Sequence, residues 1–416
     1  MEKKKNTPKL RFPEFTGEWE EKKIQKLIDD KIIISHLDGN HGGLYPRNEE
    51  FVSNGIPYIT ANDFAEGILY FDKCKFLTNE RASKFRKGIA INGDVLFAHN
   101  ATVGPTAILR TNFDYVILST TATYFRCDNI NLLNLYVEKY FNTDFFVNQY
   151  TRVMAQSTRN QVPISMQRTF SIKLPTIGEQ TKIATFLTAV DEKLTQLKKK
   201  KTLLEQYKKG VMQKLFSQEL RFKDDNNQDF PDWQEKQLGE LGDIVTGSTP
   251  PTAKGEYYNG NFSFVSPYDI NEKRFVEKTN TTLTELGFLK GRKIRTGSSL
   301  FVCIGSTIGK VAQSSIDCIT NQQINSVIPY ENYNDDFIYT LLENHSHKIK
   351  ILAAEQAVPI INKTTFSNYN VFVPSLPEQQ KIATFFSAID EKISHRGKQI
   401  EKMEAWKKGL LQQMLV

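Results

Sequence analysis

The segment from Leu174 to Phe216 reads LPTIGEQTKIATFLTAVDEKLTQLKKKKTLLEQYKKGVMQKLF, and a similar segment begins at Val373 and reads VPSLPEQQKIATFFSAIDEKISHRGKQIEKMEAWKKGLLQQML. The two align without a gap, and about 18 of 43 positions are identical. Such self-similarity indicates a duplicated unit, and two copies are too few for a solenoid. The chain therefore alternates a variable block, a helical segment, a second variable block and a second helical segment.

Shorter repeats extend the duplication into the variable blocks. LRFPEFTGEWEEKKIQKL, from Leu10, returns as LRFKDDNNQDFPDWQEKQLGEL from Leu220. NGDVLFAHNATVGPTA, from Asn92, resembles TGSSLFVCIGSTIGKVA from Thr296, and QVPI ending at Ile164 matches AVPI ending at Ile360. Each half of the chain is thus one copy of a two-part unit.

Apolar residues in both helical segments recur at steps of four and three, the spacing of a coiled-coil seam. We therefore expect the two helices to pair along these seams. The alternative is that each amphipathic helix lies on its own domain, but surface helices average only about 11–12 residues. The pairing residues that the spacing predicts are Ile183, Leu187, Val190, Leu194, Leu197 and Leu204 in the first helix and Ile382, Phe386, Ile389, Ile393, Ile400 and Met403 in the second.

Two further features describe these helices. Thr176-x-x-Glu179 and Ser375-x-x-Glu378 have the pattern of capping boxes, in which the hydroxyl accepts from an amide and the carboxylate reaches back. Long basic side chains interrupt the seams and are expected to extend to solvent at the edge of the pair. They are Lys201 and Lys208 in the first helix and Arg396 and Lys407 in the second.

The variable blocks have the pattern of α+β modules. Short β-like runs alternate with loops rich in Gly, Asn and Thr, and long helical periodicity is scarce. The runs are IPYI near Ile59, DVLF near Leu96, YVIL near Val116, FSFV near Phe264 and SLFV near Phe301. The loops at 39–50 and 246–261 are long and polar, and loops of that kind tend to be functional.

Composition excludes several classes of protein. The 416 residues contain no apolar run of the ~18–20 residues that a membrane span needs, and no apolar stretch follows the basic start, so a secretory signal is not expected. The four cysteines lie far apart, which argues against a disulfide framework or zinc site and for a reducing cytoplasm. The two helical segments account for the net charge of +7.

Catalytic signatures are absent from the sequence. Residues 305–311, GSTIGKV, have three residues between the glycines and Val after the Lys, so they fail the phosphate-loop pattern and fit a turn between strands. We also find no dinucleotide fingerprint, no Asn/Asp-Pro-Pro-aromatic motif and no nuclease carboxylate constellation. We therefore expect no catalytic residue and no bound metal or cofactor.

The helix starts GEQTKIATFLTAVDEK and PEQQKIATFFSAIDEK, with the GDVLFAHNATVG and LFVCIGSTIGK turns, resemble the specificity (S) subunit of type I restriction–modification systems. The resemblance covers nearly the whole chain. It departs from the pattern at Gly178, which stands where the second copy has Pro377.

The resemblance implies an α+β fold with two tandem α/β target recognition domains, separated by two long antiparallel coiled-coil helices in a pseudo-twofold repeat. The corresponding divisions are a first recognition domain (1–175), a spacer helix (176–218), a second recognition domain (219–373) and a second spacer helix (374–416). The implied partners are double-stranded DNA, two adenine methyltransferase (modification) subunits and restriction subunits. S-adenosylmethionine, ATP and magnesium are expected on those partner subunits.

Two similar but non-identical modules suit an asymmetric, two-part DNA site, whereas a symmetric dimer reads a palindrome. Base readout uses Arg toward guanine and Asn or Gln toward adenine, and many other polar contacts go to phosphate. The candidates for DNA contact are Asn62, Asp63, His99, Asn100, Thr102, Arg159, Asn160 and Gln161 in the first block and Tyr268, Asp269, Ser306, Thr307, Lys310, Asn321, Gln322, Gln323 and Gln356 in the second.

Two other functions remain open at this point. A non-catalytic coiled-coil scaffold could use the duplicated domains to bind proteins, and binding to random-sequence duplex would separate that function from DNA recognition. A self-sufficient nuclease or methyltransferase would need cofactor sites that the sequence does not show.

Overall fold

The computed structural model describes residues 7–39, 44–271, 273–353 and 359–415. Its internal contacts divide the chain into two compact units. The first unit is Met1–Gln196 with Ile400–Val416, and the second unit is Leu197–Gln399. Each unit thus contains one variable block together with part of both long helices.

The first unit is a mixture of short strands and helices. Its strands are β1 (Glu20–Lys23), β2 (Ile33–Asp38), β3 (Phe51–Val52), β4 (Ile56–Ile59), β5 (Phe64–Ala65), β6 (Ile68–Leu69), β7 (Lys75–Leu77), β8 (Ile89–Ala90), β9 (Val95–Asn100), β10 (Thr102–Ile108), β11 (Val116–Leu118), β12 (Ala122–Cys127) and β13 (Ser171–Leu174). Its shorter helices are α1 (Ile24–Asp29), α2 (Asn79–Ala82), α3 (Asn134–Phe141), α4 (Asp144–Ala155) and α5 (Ile164–Gln167).

Two sheets form the centre of this unit. One has the order β10-β9-β12-β2 and the other the order β3-β7-β4-β11-β8, with β4 and β11 parallel. Strand β9 is buried on both faces: Val95 and Phe97 pack in a core with α3 and α4, whereas Leu96 and Ala98 pack in a second core toward the other sheet. Successive side chains of this strand therefore belong to different cores, because side chains of a β-strand alternate between its two faces.

The second unit repeats this plan with different lengths. Its strands are β14 (Gln234–Gln237), β15 (Gly242–Thr246), β16 (Tyr258–Val265), β17 (Phe275–Val276), β18 (Thr281–Leu283), β19 (Lys293–Ile294), β20 (Ser299–Val302), β21 (Val311–Ser314), β22 (Cys318–Thr320), β23 (Ile324–Pro329) and β24 (Asn370–Val373). Its shorter helices are α7 (Leu238–Leu241), α8 (Glu285–Phe288), α9 (Asp335–Ile351) and α10 (Lys363–Ser367).

The sheets of the second unit have the orders β15-β23-β20-β21-β17 and β18-β16-β22-β19. The five β-like runs predicted from the sequence all form strands, and the α+β prediction is confirmed. The blocks also contain two longer helices, since α4 has 12 residues and α9 has 17.

Two long helices follow the variable blocks. Helix α6 (Ile177–Phe216) has 40 residues and α11 (Leu376–Met414) has 39, which corresponds to about 60 Å each. In the first unit, the seam residues Ile183, Leu187 and Val190 share a core with the end of α11. In the second unit, the end of α6 shares a core with Ile382 and Phe386. No helix in the described ranges is long and apolar enough to cross a membrane.

Two of the four basic interruptions of the seams, Lys208 and Lys407, form ion pairs between the long helices. In the second unit, Lys208 Nζ lies 2.7 Å from Asp390 and 2.6 Å from Glu343. In the first unit, Lys407 Nζ lies 2.6 Å from Asp191. The expectation that Lys208 extends to solvent is wrong, because its side chain is only 10% exposed. The two lysine–aspartate pairs are equivalent in the repeat, so each copy supplies an acid near its helix start and a base near its end.

The predicted capping boxes form only in part: the Thr176 hydroxyl accepts from the Glu179 amide at 3.4 Å, but neither carboxylate reaches back. The Glu179 carboxylate accepts from Arg11 Nε (2.7 Å) and Nη2 (2.8 Å) instead of reaching back to the helix start. Glu378 accepts from Arg221 Nη2 (2.8 Å) and from Trp233 Nε1 (3.2 Å). Both glutamates are fully buried. The carboxylates thus bind the repeated Leu-Arg-Phe segment, because a guanidinium satisfies two carboxylate oxygens at once.

We expect Glu378→Ala to destabilise the second unit by about 2–4 kcal/mol, because removal of one partner of a buried pair leaves the other charge uncompensated. The same carboxylate also raises the pKa of Arg221 through its hydrogen bond. Denaturant unfolding followed by tryptophan fluorescence measures the change, since Trp233 donates to Glu378. The exposed Glu331→Ala is the matched control and should change stability by no more than about 0.5 kcal/mol. Equal effects of the two substitutions would contradict the assignment.

A buried histidine predicts acid sensitivity of the first unit. His36 is 3% exposed, its ring stacks on Phe125 at 4.1 Å, and its Nε2 donates to Gln167 Oε1 at 3.1 Å. Burial lowers the pKa of His36 to about 3. The unfolded histidine titrates near pH 6.5, so the contribution of neutral His36 to stability is complete above that pH and is lost as pH falls toward 3.

We therefore expect thermal stability to decline between pH 6.5 and 4 and His36→Gln to flatten that decline, by up to about 1.4 kcal/mol per pH unit. Thermal scans at half-unit pH steps measure the slope. The exposed His395→Gln serves as the control and should keep the parental slope. An unchanged slope in His36→Gln would show that other groups cause the acid sensitivity.

Candidate nucleic-acid interface

Four loops of the first unit come together at one end of its sheets. Loop A is 60–63, loop B is 99–102, loop C is 119–121 and loop D is 159–161. Backbone hydrogen bonds join them: Ser119 N to Ile59 O (2.8 Å), His99 N to Thr121 O (3.0 Å), Ala101 N to Asn160 O (2.9 Å) and Val162 N to His99 O (2.8 Å). We call this group of loops the loop edge of the unit.

The second unit builds the same loop edge. Its loops A, B, C and D are 266–269, 303–307, 321–323 and 359–361. The equivalent backbone bonds are Asn321 N to Val265 O (2.9 Å), Cys303 N to Gln323 O (2.7 Å), Gly305 N to Pro359 O (3.1 Å) and Ile361 N to Cys303 O (2.9 Å). These bonds between the loops use backbone groups, which every residue type supplies, so most side chains of the loops can differ between the two units.

The hydrogen bonds correct one alignment made from the sequence. Val162 and Ile361 occupy the same place, since each amide bonds the first residue of loop B in its unit. QVPI of the first unit therefore corresponds to residues 360–363, three positions beyond the AVPI to which its letters match. The glycine-rich turns are confirmed as strand connections: residues 303–310 join β20 to the antiparallel β21.

Three of the predicted DNA-contact residues are buried and bonded within the protein. Asp63 and Asp269 are 7% and 8% exposed and accept hydrogen bonds from their own loops. His99 is 3% exposed, and its Nδ1 bonds Val162 O at 3.2 Å. These side chains hold the loop edge together instead of facing outward. Gln356 lies outside the described residues.

The remaining candidates of the first unit lie at its loop edge. Asn62, Thr102, Arg159 and Asn160 are exposed, and Asn100 and Gln161 are half-buried and form an isolated β-bridge. The Thr102 hydroxyl donates to Asn62 Oδ1 at 3.3 Å, which joins loops A and B. The structure thus brings together side chains that are up to 99 positions apart in the sequence.

The second unit places its candidates in the same way. Tyr268 is 82% exposed, and Ser306, Lys310 and Gln322 are exposed as well. Lys310 Nζ donates to Ile270 O at 3.0 Å, which joins the far end of the β20–β21 turn to the end of loop A. The half-buried residues are Thr307, Asn321 and Gln323, and Asn321 Nδ2 donates to Gln323 Oε1 at 3.0 Å.

The sequence reasoning missed loop C of the first unit. Ser119, Thr120 and Thr121 stand where the second unit has Asn321, Gln322 and Gln323, and the Ser119 and Thr121 hydroxyls lie 2.6 Å apart. The preceding strands, YVIL and DCIT, contain the signal, but the identity between them is too low to align them by eye. Small hydroxyl side chains in one copy and long amides in the other give the two edges different surfaces.

A fifth polar segment leaves the same edge. Gly39 and Gly247 each pass close to the backbone of loop C in their own unit. A Cβ added to Gly39 would lie 2.2 Å from Ser119 C, and one added to Gly247 would lie 2.1 Å from Asn321 O. Beyond Gly247, the Thr249 hydroxyl donates to Gln322 Oε1 at 2.7 Å. The long loop predicted at 246–261 therefore starts at the loop edge, and its last residues form the start of β16.

The edges offer hydrogen-bonding groups and positive charge. Arg159 in the first unit and Lys310 and Arg292 in the second are exposed cations. Cys303 occupies the place of His99, and burial raises the pKa of its thiol to about 12, so it stays neutral. No cluster of three His, Cys, Asp or Glu residues suited to a metal ion occurs in the described ranges.

Comparison with known proteins agrees with the duplicated plan. The chain is 28% identical over 195 residues to the MjaIX specificity subunit of Methanocaldococcus jannaschii, a match that covers 45% of each protein. It is 31% identical over 147 residues to the HindI specificity subunit of Haemophilus influenzae, covering 34% of this chain and 32% of that one. The match to the MjaX subunit, a putative type I specificity subunit of M. jannaschii, covers 99% of this chain and 96% of that protein at 23% identity.

The first two matches thus span less than half of those relatives, whereas the third spans nearly the whole. The fold resembles the crystal structure of a type I restriction–modification S subunit from M. genitalium, with a TM-score of 0.64 at 16% identity over 99% of both chains. The family model of the type I restriction modification DNA specificity domain matches residues 17–206 and 231–405. Because it matches most of both halves, the chain belongs to this family of DNA specificity domains and carries the domain twice.

Proposed function

We propose that the chain is the DNA-reading specificity subunit of a type I restriction–modification complex and recognises a bipartite duplex target, one half-site per unit. The observation that carries this proposal is the loop edge, which occurs twice on one backbone scaffold with different side chains. A duplicated scaffold with non-identical surfaces suits two different half-sequences, since identical surfaces would read a palindrome. Family membership supports the same function.

The side chains of the loop edges match the chemistry of base and phosphate contact. Asn and Gln can pair with adenine, and Ser and Thr can bond either base edges or phosphates. Arg159, Lys310 and Arg292 supply the cations that neutralise phosphate. We propose that DNA is contacted by those predicted residues that are exposed or half-buried at the loop edges. They are Asn62, Asn100, Thr102, Arg159, Asn160 and Gln161 in the first unit and Tyr268, Ser306, Thr307, Lys310, Asn321, Gln322 and Gln323 in the second. Asp63, Asp269 and His99 support these residues from inside.

The proposed partners follow from the family and from the absence of catalytic motifs in the sequence. Two modification subunits would transfer the methyl group to adenine, and restriction subunits would cleave. S-adenosylmethionine, ATP and magnesium would bind to those subunits, and this chain would contribute recognition only. The exposed faces of α6 and α11 are the long surfaces on which such subunits could assemble, and Leu203, Tyr207 and Trp406 are exposed there.

If each unit recognises its own half-site, the specificity for one half-site can be changed without changing the other. When residues 28–173 are exchanged for the matching block of a relative, one half of the methylated sequence should change and the other should stay the same. The reason is that loops A to D of the first unit all lie within this block. Mapping of methylated adenines at single-base resolution, in cells that also express the modification subunits, measures both halves. A change in both halves would contradict the proposal, as would methylation without sequence preference in the parent.

The length of the helices predicts the number of base pairs between the half-sites. Four residues added to each helix, between Leu197 and Leu204 and between Ile393 and Ile400, lengthen each by about 6 Å. At 3.4 Å per base pair, the unread spacer should grow by one or two base pairs while both half-sequences persist. Insertion at the end of α6 is unsuitable, because Met212 and Leu215 are buried in the core of the second unit.

The same mapping of methylated adenines tests whether the length of the helices sets the number of base pairs between the half-sites. The control adds four residues to the exposed turn at 225–227, outside both long helices, and should keep the parental spacing. Parental spacing in an active double-insertion variant would mean that the helices serve assembly and do not set the spacer.

A further inference from the structure

Loop A has the same internal hydrogen bonds in both units, and its single exposed position carries a different residue in each. It reads Thr-Ala-Asn-Asp at 60–63 and Ser-Pro-Tyr-Asp at 266–269. Asp63 Oδ2 accepts from the Thr60 amide (2.7 Å) and hydroxyl (2.8 Å). Asp269 Oδ2 accepts from the Ser266 amide (2.9 Å) and hydroxyl (2.7 Å). The first and last residues of the loop are therefore a fixed clamp in each copy.

Further bonds hold the clamp against the rest of each unit. In the first unit, the Ala61 amide donates to the Thr121 hydroxyl at 2.9 Å. In the second, Asp269 Oδ1 also accepts from the Asn280 amide and side chain, both at 2.9 Å. A loop tied at this many points loses little conformational freedom when a ligand binds. The third residue of the loop is thus presented by a preorganised support.

The third residue is Asn62 in the first unit and Tyr268 in the second. Tyr268 is the most exposed large apolar side chain among the described residues, at 82%. Asn62 is exposed too, and the Thr102 hydroxyl fixes the orientation of its amide through Oδ1. An aromatic ring kept in water on a rigid loop gains free energy only when a partner covers it. Its neighbours at the loop edge are the residues proposed to contact DNA.

We propose that positions 62 and 268 are equivalent specificity-determining positions, one for each half-site. This inference rests on the proposed function. Asn62 has the donor and acceptor that pair with N7 and the 6-amino group of adenine in the major groove. Tyr268 has a flat apolar face that packs against the 5-methyl group of thymine. The clamp aspartates position these side chains and do not contact the bases.

The test uses the complete complex, with the chain co-expressed with its modification subunits and genomic adenine methylation mapped at single-base resolution. Tyr268→Ala should lower methylation at parental sites about tenfold or more and admit sites that differ at one base pair of a single half-sequence. Asn62→Ala should do the same in the other half-sequence. Tyr268→Phe should retain the parental sequence, because the ring face is kept.

Matched controls lie at the opposite ends of strands from the loop edge. Asn112→Ala, beyond β10, and Tyr330→Ala, beyond β23, remove exposed side chains of the same types and should leave the methylated sequence unchanged. Thermal unfolding of each variant reports folding, and Tyr268→Asn provides a second, more polar replacement at the same position.

The outcomes separate this inference from the function on which it rests. If the parent methylates a bipartite sequence and all position-62 and position-268 variants keep that sequence, the inference fails alone. Relaxation of both half-sequences by one substitution, or equal effects of the controls, would also overturn it. If the parental complex shows no sequence preference, the proposed function itself fails.

Discussion

Each half of this protein depends on one buried carboxylate at the start of a long helix. Glu179 and Glu378 are fully buried, and each binds the arginine of a Leu-Arg-Phe segment far away in the sequence. A carboxylate in that environment is tolerated only when its charge is paired and its oxygens are bonded. Each ion pair therefore holds the segment that precedes a variable block in the sequence against the helix that follows the block. The two ends of the block are thus fixed together.

The neighbouring glutamine extends the same junction. Gln180 Oε1 accepts from the Leu133 amide just before α3, and Gln379 Oε1 accepts from the Asn334 amide just before α9, both at 3.0 Å. Each side-chain amide also donates to the proline carbonyl that precedes the helix. The Glu-Gln pair of the repeated motif thus positions two helices of each unit, which gives a physical reason for its presence in both copies.

The sequence predicts the duplication, the long helices and five strands, because these depend on local pattern and on identity between the copies. It does not predict the ionic bonds at Arg11 and Lys208, whose partners are 168 and 182 positions away. It also places Asp63 and Asp269 among residues that contact DNA. Polar residue type alone cannot distinguish a carboxylate that closes a loop from one that faces a ligand, because the distinction depends on burial.

The separation of scaffold from surface explains how one fold can present two different loop edges. The bonds that join loops A to D are mainly between backbone groups, which every residue type supplies. The few side chains that the scaffold requires, such as Asp63 and Asp269, point inward and recur in both units. An exposed side chain such as Tyr268 takes no part in these bonds, so a substitution there changes the surface at little cost in folding free energy. The exposed surface of one unit can therefore change while the other unit, with its own core and its own clamp, keeps its surface.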